Sequence, residues 1–106
     1  MTRHGEFKTP GGKLVVADVA VADGRLAEVA VTGDFFLEPA EALADIVAAL
    51  LGAPATASAT DLAERIEAGL RPGAELIGFD ATAVATAVRR AVADDMPRQI
   101  ADQAGA

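Results

Sequence analysis

Cysteine, tryptophan and tyrosine are absent from this 106-residue chain, and histidine and serine occur once each, as His4 and Ser58. Without cysteine there are no disulfides, no thiolate metal sites and no cysteine nucleophiles. His4 lies near one end and has no second histidine or cysteine with which to build a metal-ligand set. It reads as an ordinary surface residue. Ser58 sits in a small-residue stretch with no base at a recognisable spacing, so nothing marks it as a nucleophile. No apolar run approaches the roughly 18 residues that cross a bilayer, and no apolar segment precedes a secretory cleavage site. A soluble, cytoplasmic protein is the expectation. A phosphate loop of the G-x-x-x-x-G-K-[ST] kind is also missing.

What is present is aliphatic. Apolar residues make up 52% of the chain, but many are alanine and the only aromatics are four phenylalanines, so the core is expected to be thin and built from Val, Leu, Ile and Phe. The length fits one domain. A large ligand cavity is not expected at this size. The net charge of −7 argues against non-specific nucleic-acid binding, which depends on neutralising phosphates. Its distribution is uneven. Residues 1–13 carry a net +2 through Arg3, Glu6, Lys8 and Lys13, which leaves −9 on the remainder. Both lysines of the chain flank the turn Pro10-Gly11-Gly12.

Along the chain, residues 2–8 read as a short strand that reverses at Pro10-Gly11-Gly12, where proline fixes φ and glycine accepts φ > 0. A two-residue loop would set Lys8 opposite Lys13 on one face, and a three-residue loop would shift the pairing by one. Like charges paired across a hairpin are mildly unfavourable, and an anion nearby would relieve them. Residues 13–22 give the strongest strand signal, with Val15, Ala17, Val19 and Val21 alternating on one face. Leu14 and Val16 fall on the other face. Asp23-Gly24 is a hairpin turn, and residues 25–32 return with Ala27, Val29 and Val31 inward and Glu28 outward. Leu26 falls on the Glu28 side, so it is exposed, packs with Leu14, or marks a bulge.

A three-stranded meander needs a cover on its apolar face, and helices are expected to supply it. Pro39 suits a first helical turn, Leu43, Ile46, Val47, Leu50 and Leu51 fall at helical spacing, and Gly52 suits the residue after the end. After a linker over residues 53–59, Thr60 or Asp61 can cap a second helix with Leu62, Ile66 and Leu70 inward. Leu76, Ile77 and Phe79 read as an apolar loop pressed onto the core. Asp80 can cap a third helix to about Ala93, with Val84, Val88 and Val92 inward and Arg89 and Arg90 outward. The expected fold is therefore α+β: a three-stranded antiparallel β-meander covered on one face by about three α-helices, in the order βββααα. The domain is placed at residues 1–93, and residues 94–106 lose periodicity and are expected to fray.

No catalytic set emerges. Glu64 and Glu67 share a helix face but read as a solvated polar surface beside Arg65 and Arg71, and Asp94-Asp95 marks a helix end. No metal site is expected. Phe35-Phe36 reads as packing between sheet and helix, or as an aromatic contact for a partner.

The residues Lys8-x-Pro10-Gly11-Gly12-Lys13, a strand, the Asp23-Gly24 turn and then Val29-x-Val31-Thr32-Gly33-Asp34-Phe35-Phe36 together resemble the small C-terminal domain of lipoate–protein ligases. The resemblance continues through Leu43, Ile46 and Leu50 and the helix from Asp61 to Leu70, and covers about residues 4–93. It implies an accessory role. In that family a large domain with a biotin-ligase-like fold binds lipoate and ATP, forms lipoyl-adenylate and transfers the lipoyl group to a lysine of an acceptor domain. The small domain packs on it and is needed for adenylation, and in some members it is a separate subunit.

The large domain is missing from this sequence, so lipoate, ATP and Mg would enter only through a large catalytic subunit, and this chain alone should be inactive. On this reading Lys8, Pro10, Gly11, Gly12 and Lys13 lie close to the nucleotide and substrate in the complex. Asp34, Phe35 and Phe36 would contact the partner, and lipoyl acceptor domains are met only indirectly. Neither nucleic acid nor membrane is an expected partner. The rival readings are an interaction or oligomerisation module with no part in adenylation, and a cysteine-free scaffold related in fold to iron–sulfur assembly proteins.

Overall fold

The computed structural model describes residues 2–94. The expectation of a frayed tail falls outside these residues, apart from Asp94. Three strands, β1 (Arg3–Lys8), β2 (Leu14–Ala22) and β3 (Arg25–Gly33), form an antiparallel sheet in the order β1-β2-β3. Asp23 and Gly24 both take positive φ at the β2–β3 turn, as a tight primed hairpin requires. Val15, Ala17 and Val19 are fully buried beneath the helices, and Val31 continues this face on β3.

The register resolves the position of Leu26. Ala20 pairs with Glu28, but the next residue, Val21, pairs with Leu26. Ala27 is therefore the extra residue of a β-bulge, which reverses the alternation of the strand's first residues. Leu26 turns inward to 2% exposure, while Ala27, expected inside, is exposed. Leu26 also ties this end of β3 to the following loop. Its N–H donates to the Ala53 carbonyl and its own carbonyl accepts from the Gly52 N–H, both at 2.9 Å.

The helices α1 (Ala42–Leu50), α2 (Ala59–Gly69) and α3 (Ala81–Val92) cover the buried face. Pro39 lies ahead of α1 rather than in its first turn, and its carbonyl accepts from Ala42 N–H at 3.0 Å. Gly52 follows the helix end with φ of 83°. The cap of α2 is Ser58, whose Oγ accepts from Asp61 N–H at 3.0 Å, so the helix begins earlier than a cap at Thr60 or Asp61 would allow. Asp80 caps α3 as expected, accepting from Ala83 N–H at 2.8 Å. A bidentate contact from Arg71 at the end of α2 to Asp45 of α1, at 2.7 and 3.1 Å, joins the two helices. Hydrogen bonding to the guanidinium lowers the Asp45 pKa.

Alanine sets the thickness of the core. Ala81, Ala83, Ala85, Ala87 and Ala91 of α3 are buried together with Val84 and Val88. This smooth face lets the helix lie directly on β1. A Cβ on Gly5 would collide with the Ala87 carbonyl and the Ala91 nitrogen, so only glycine fits there. Arg89 and Arg90 are not free outward charges. Arg89 donates to the Ala55 carbonyl at 2.6 Å, and Arg90 donates to the Glu6 carbonyl at 2.9 Å while lying over the Phe7 ring.

One element departs from the expected loop. Residues Glu75–Ile77 form a strand, β5, which pairs antiparallel with β4 (Phe36–Glu38) in a separate two-stranded ribbon. Leu37 and Leu76 point toward the core, whereas Ile77 is exposed. The described element order is thus βββ, β, αα, β, α: the expected α+β meander with a ribbon added.

Candidate functional site

The sequence singled out two stretches, the Lys8–Lys13 hairpin tip and the Asp34-Phe35-Phe36 exit from the sheet. The fold brings them to one end of the molecule. Lys8 pairs with Leu14, and Thr9 N–H donates to the Lys13 carbonyl at 2.7 Å. The loop is therefore the three residues Pro10-Gly11-Gly12, closed by Gly12 N–H to the Thr9 carbonyl at 2.9 Å. Gly11 and Gly12 take φ of 96° and 122°, values that side chains rarely adopt. Both have open space around the Cα.

This register separates the two lysines. Side chains alternate along a strand, so Lys8 falls on the outer face with Glu6, and Lys13 falls on the face that carries Phe7 and Val15. Lys8 is exposed. Lys13 is held. Its stem runs across Gly78, where a Cβ would meet Lys13 Cγ at 2.5 Å, and its ammonium lies 5.9 Å from the centre of the Phe36 ring. Among the described residues neither lysine is within ion-pair distance of a carboxylate.

Thr9 locks the hairpin to the end of the ribbon. Its hydroxyl accepts from Lys13 N–H at 3.1 Å and faces the Gly78 carbonyl at 3.2 Å. Asp34 has a local structural partner: its Oδ1 accepts from Leu14 N–H at 2.7 Å, fixing the start of β2 against the end of β3. Phe35 and Phe36, adjacent in sequence, part company. Phe35 is half-buried and stacks on Phe79, with ring centroids 4.0 Å apart and planes 24° apart. Phe36 is 64% exposed.

Two open depressions flank this end. One, of about 400 Å³, runs beside β4 and is lined by Val31, Phe35, Phe36, Leu37 and Leu43 among others. The other, of about 460 Å³, lies between the hairpin and the start of α3, with Phe7, Pro10, Phe79 and Asp80 in its wall. Neither converges on a set of titratable groups. Among the described residues no three of His, Asp or Glu are placed to hold a metal ion, and no helix is long and apolar enough to cross a membrane.

A sheet of this order under helices of this order occurs elsewhere. The chain is similar to a solved structure from Thermoplasma acidophilum, described as an archaeal lipoylation system, a bi-partite lipoate protein ligase and its E2 lipoyl domain. The two chains share a fold. The TM-score is 0.68, the identity 18%, and the match covers 84% of this chain and 96% of that chain. At that identity the likeness is one of fold. No protein-family model and no curated protein sequence matches.

A second cluster lies on the outer face of the sheet and carried no signal in the sequence beyond a lone histidine. His4 places Nδ1 2.7 Å from Asp18 Oδ1 and Nε2 2.7 Å from Glu6 Oε2. Hydrogen bonds to Glu6 and then Asp18 raise its pKa, because an imidazole facing carboxylates through both nitrogens is best served as imidazolium. Strand register could have found it, since His4 and Asp18 are direct cross-strand partners.

Proposed function

We propose that this chain is the non-catalytic accessory subunit of a two-part lipoate–protein ligase. It would be needed for ATP-dependent activation of lipoate to lipoyl-adenylate by a separate large subunit with a biotin-ligase-like fold. The observation that carries this reading is the fold likeness to the Thermoplasma chain over 96% of that chain's length. The site agrees with a supporting role. It offers backbone N–H donors and the positive charge of two lysines at one hairpin tip.

In this reading lipoate, ATP and Mg belong to the large subunit. No described residue set here fits the metal. What this chain supplies is a positioned edge. Gly11-Gly12 presents backbone that can approach closely because no side chain intervenes, and Lys8 adds an exposed positive charge on one side of it. Lys13, held by Gly78 and Phe36, adds a fixed one on the other. Preorganised positive groups at the mouth of a site stabilise anionic phosphates and the charge that develops on them during adenylation. Reconstitution with the large subunit tests the reading. Adenylation should require this chain, and an equal rate without it would remove the accessory role.

A further inference from the structure

The β4–β5 ribbon carries a face that the core does not use. Phe36 pairs with Ile77 and Glu38 pairs with Glu75 across the ribbon, and alternation puts all four on the side away from Leu37 and Leu76. Phe36 and Ile77 are 64% and 46% exposed and are two of the three large apolar side chains left exposed among the described residues. The apolar groove beside β4 is continuous with Phe36. At the other end, Glu38 and Glu75 are direct neighbours of like charge, a pairing that disfavours the ribbon. Neither carboxylate has a hydrogen-bond or ion-pair partner among the described residues. Lys13 stands at the Phe36 end. The face therefore reads positive, apolar, negative along its length.

We propose that this ribbon face is the docking surface for the large catalytic subunit. Phe36 and Ile77 take an apolar anchor of the partner, and Glu38 and Glu75 together clasp one of its basic side chains. This rests on the accessory-subunit reading and adds where the partner sits and what it must present. Two strand residues span about 7 Å, so the partner carries its basic group about that far from its apolar anchor, with an acidic group on the opposite flank toward Lys13. A guanidinium is the best fit, since its fork can meet both carboxylates and would convert a repulsive pair into an attractive triad.

The experiment measures affinity of the full chain for the large subunit by calorimetry at low and high salt, alongside its stimulation of adenylate formation. Phe36→Ala should weaken binding about tenfold or more, as central aromatic anchors do. Glu38→Gln/Glu75→Gln should weaken it and flatten its salt dependence. Thermal unfolding of Glu38→Gln/Glu75→Gln should be unchanged or improved, because the pair is self-repelling. Phe36→Ala should lower it only slightly, because this exposed side chain gives up no more than its contacts with Lys13 and Ile77, so a tenfold loss of affinity will not reflect lost folding. Stimulation of the ligase with affinity unaffected by these variants would overturn the docking assignment and leave the accessory role intact. Absence of any binding or stimulation by the unaltered chain would overturn both. A dimer of this chain alone that Phe36→Ala disrupts would assign the face to a second copy and overturn it as well.

Discussion

Lys13 and Phe36, 23 residues apart in sequence, meet at 5.9 Å between ammonium and ring centre. The contact joins the hairpin tip to the ribbon and makes one working edge out of two elements. It depends on Gly78, which leaves room for the lysine stem and takes a φ of 88° at the end of β5. Cation–π contacts at exposed sites contribute about 0.5–1 kcal/mol, enough to bias one position of a long side chain.

Because Lys8 and Lys13 lie on opposite faces of the sheet, their roles should separate. Lys8→Ala should slow lipoyl-adenylate formation about tenfold, equivalent to about 1.4 kcal/mol of transition-state stabilisation, with affinity for the large subunit unchanged. Lys13→Ala should lower both the rate and the affinity. Single-turnover kinetics and calorimetry on each variant check this split, and equal effects of the two substitutions on both quantities would contradict it.

Gly5 sets the distance between β1 and α3. Gly5→Ala should destabilise the fold by about 1–3 kcal/mol, as overpacking does, because its Cβ would meet helix backbone that cannot rotate away. Denaturant unfolding measures this. An unchanged midpoint would mean that α3 does not lie on β1 as described.

The bulge at Ala27 makes a matched pair of predictions. Leu26→Ala should cost about 2–5 kcal/mol, the range for truncating a buried leucine, since Leu26 is only 2% exposed. Ala27→Ser should be nearly neutral. Plain alternation without a bulge predicts the reverse order, so comparing the two stabilities decides the register.

These positions show how far the sequence could be read. Alternation gave the meander, and helical spacing placed Ile46, Leu50, Leu62, Ile66, Val84 and Val88, all of which are buried. The place of Leu26 stays open among three alternatives in the sequence, because one strand's pattern cannot reveal an extra residue without its partner's register. The three residues Glu75–Ile77 are too short to show a period, and they become a strand only through pairing with Phe36–Glu38. Ser58 lies in a stretch that reads as linker, because a cap is defined by where its helix starts. The lysine arrangement depended on one residue of loop length, which turn propensity leaves undetermined.

His4 predicts a pH dependence of stability. Its folded pKa is raised above the ordinary 6.5 by Glu6 and then Asp18. The imidazolium's contribution is fully present below about 6.5 and is lost as pH rises through the higher folded value. Stability should therefore fall between mildly acidic and mildly alkaline pH, and His4→Gln should flatten that part of the profile. Thermal unfolding across this window, compared between the two proteins, measures it; parallel profiles would show that the cluster does not act on folding.

The proposed accessory role puts this chain's action at another subunit's adenylation step. The direct measurement is the single-turnover rate of lipoyl-adenylate formation from lipoate and ATP by the large subunit, with and without this chain at saturating concentration. Little or no adenylate is expected without it and rapid formation with it. Equal rates in the two reactions would contradict a role for this chain in adenylation.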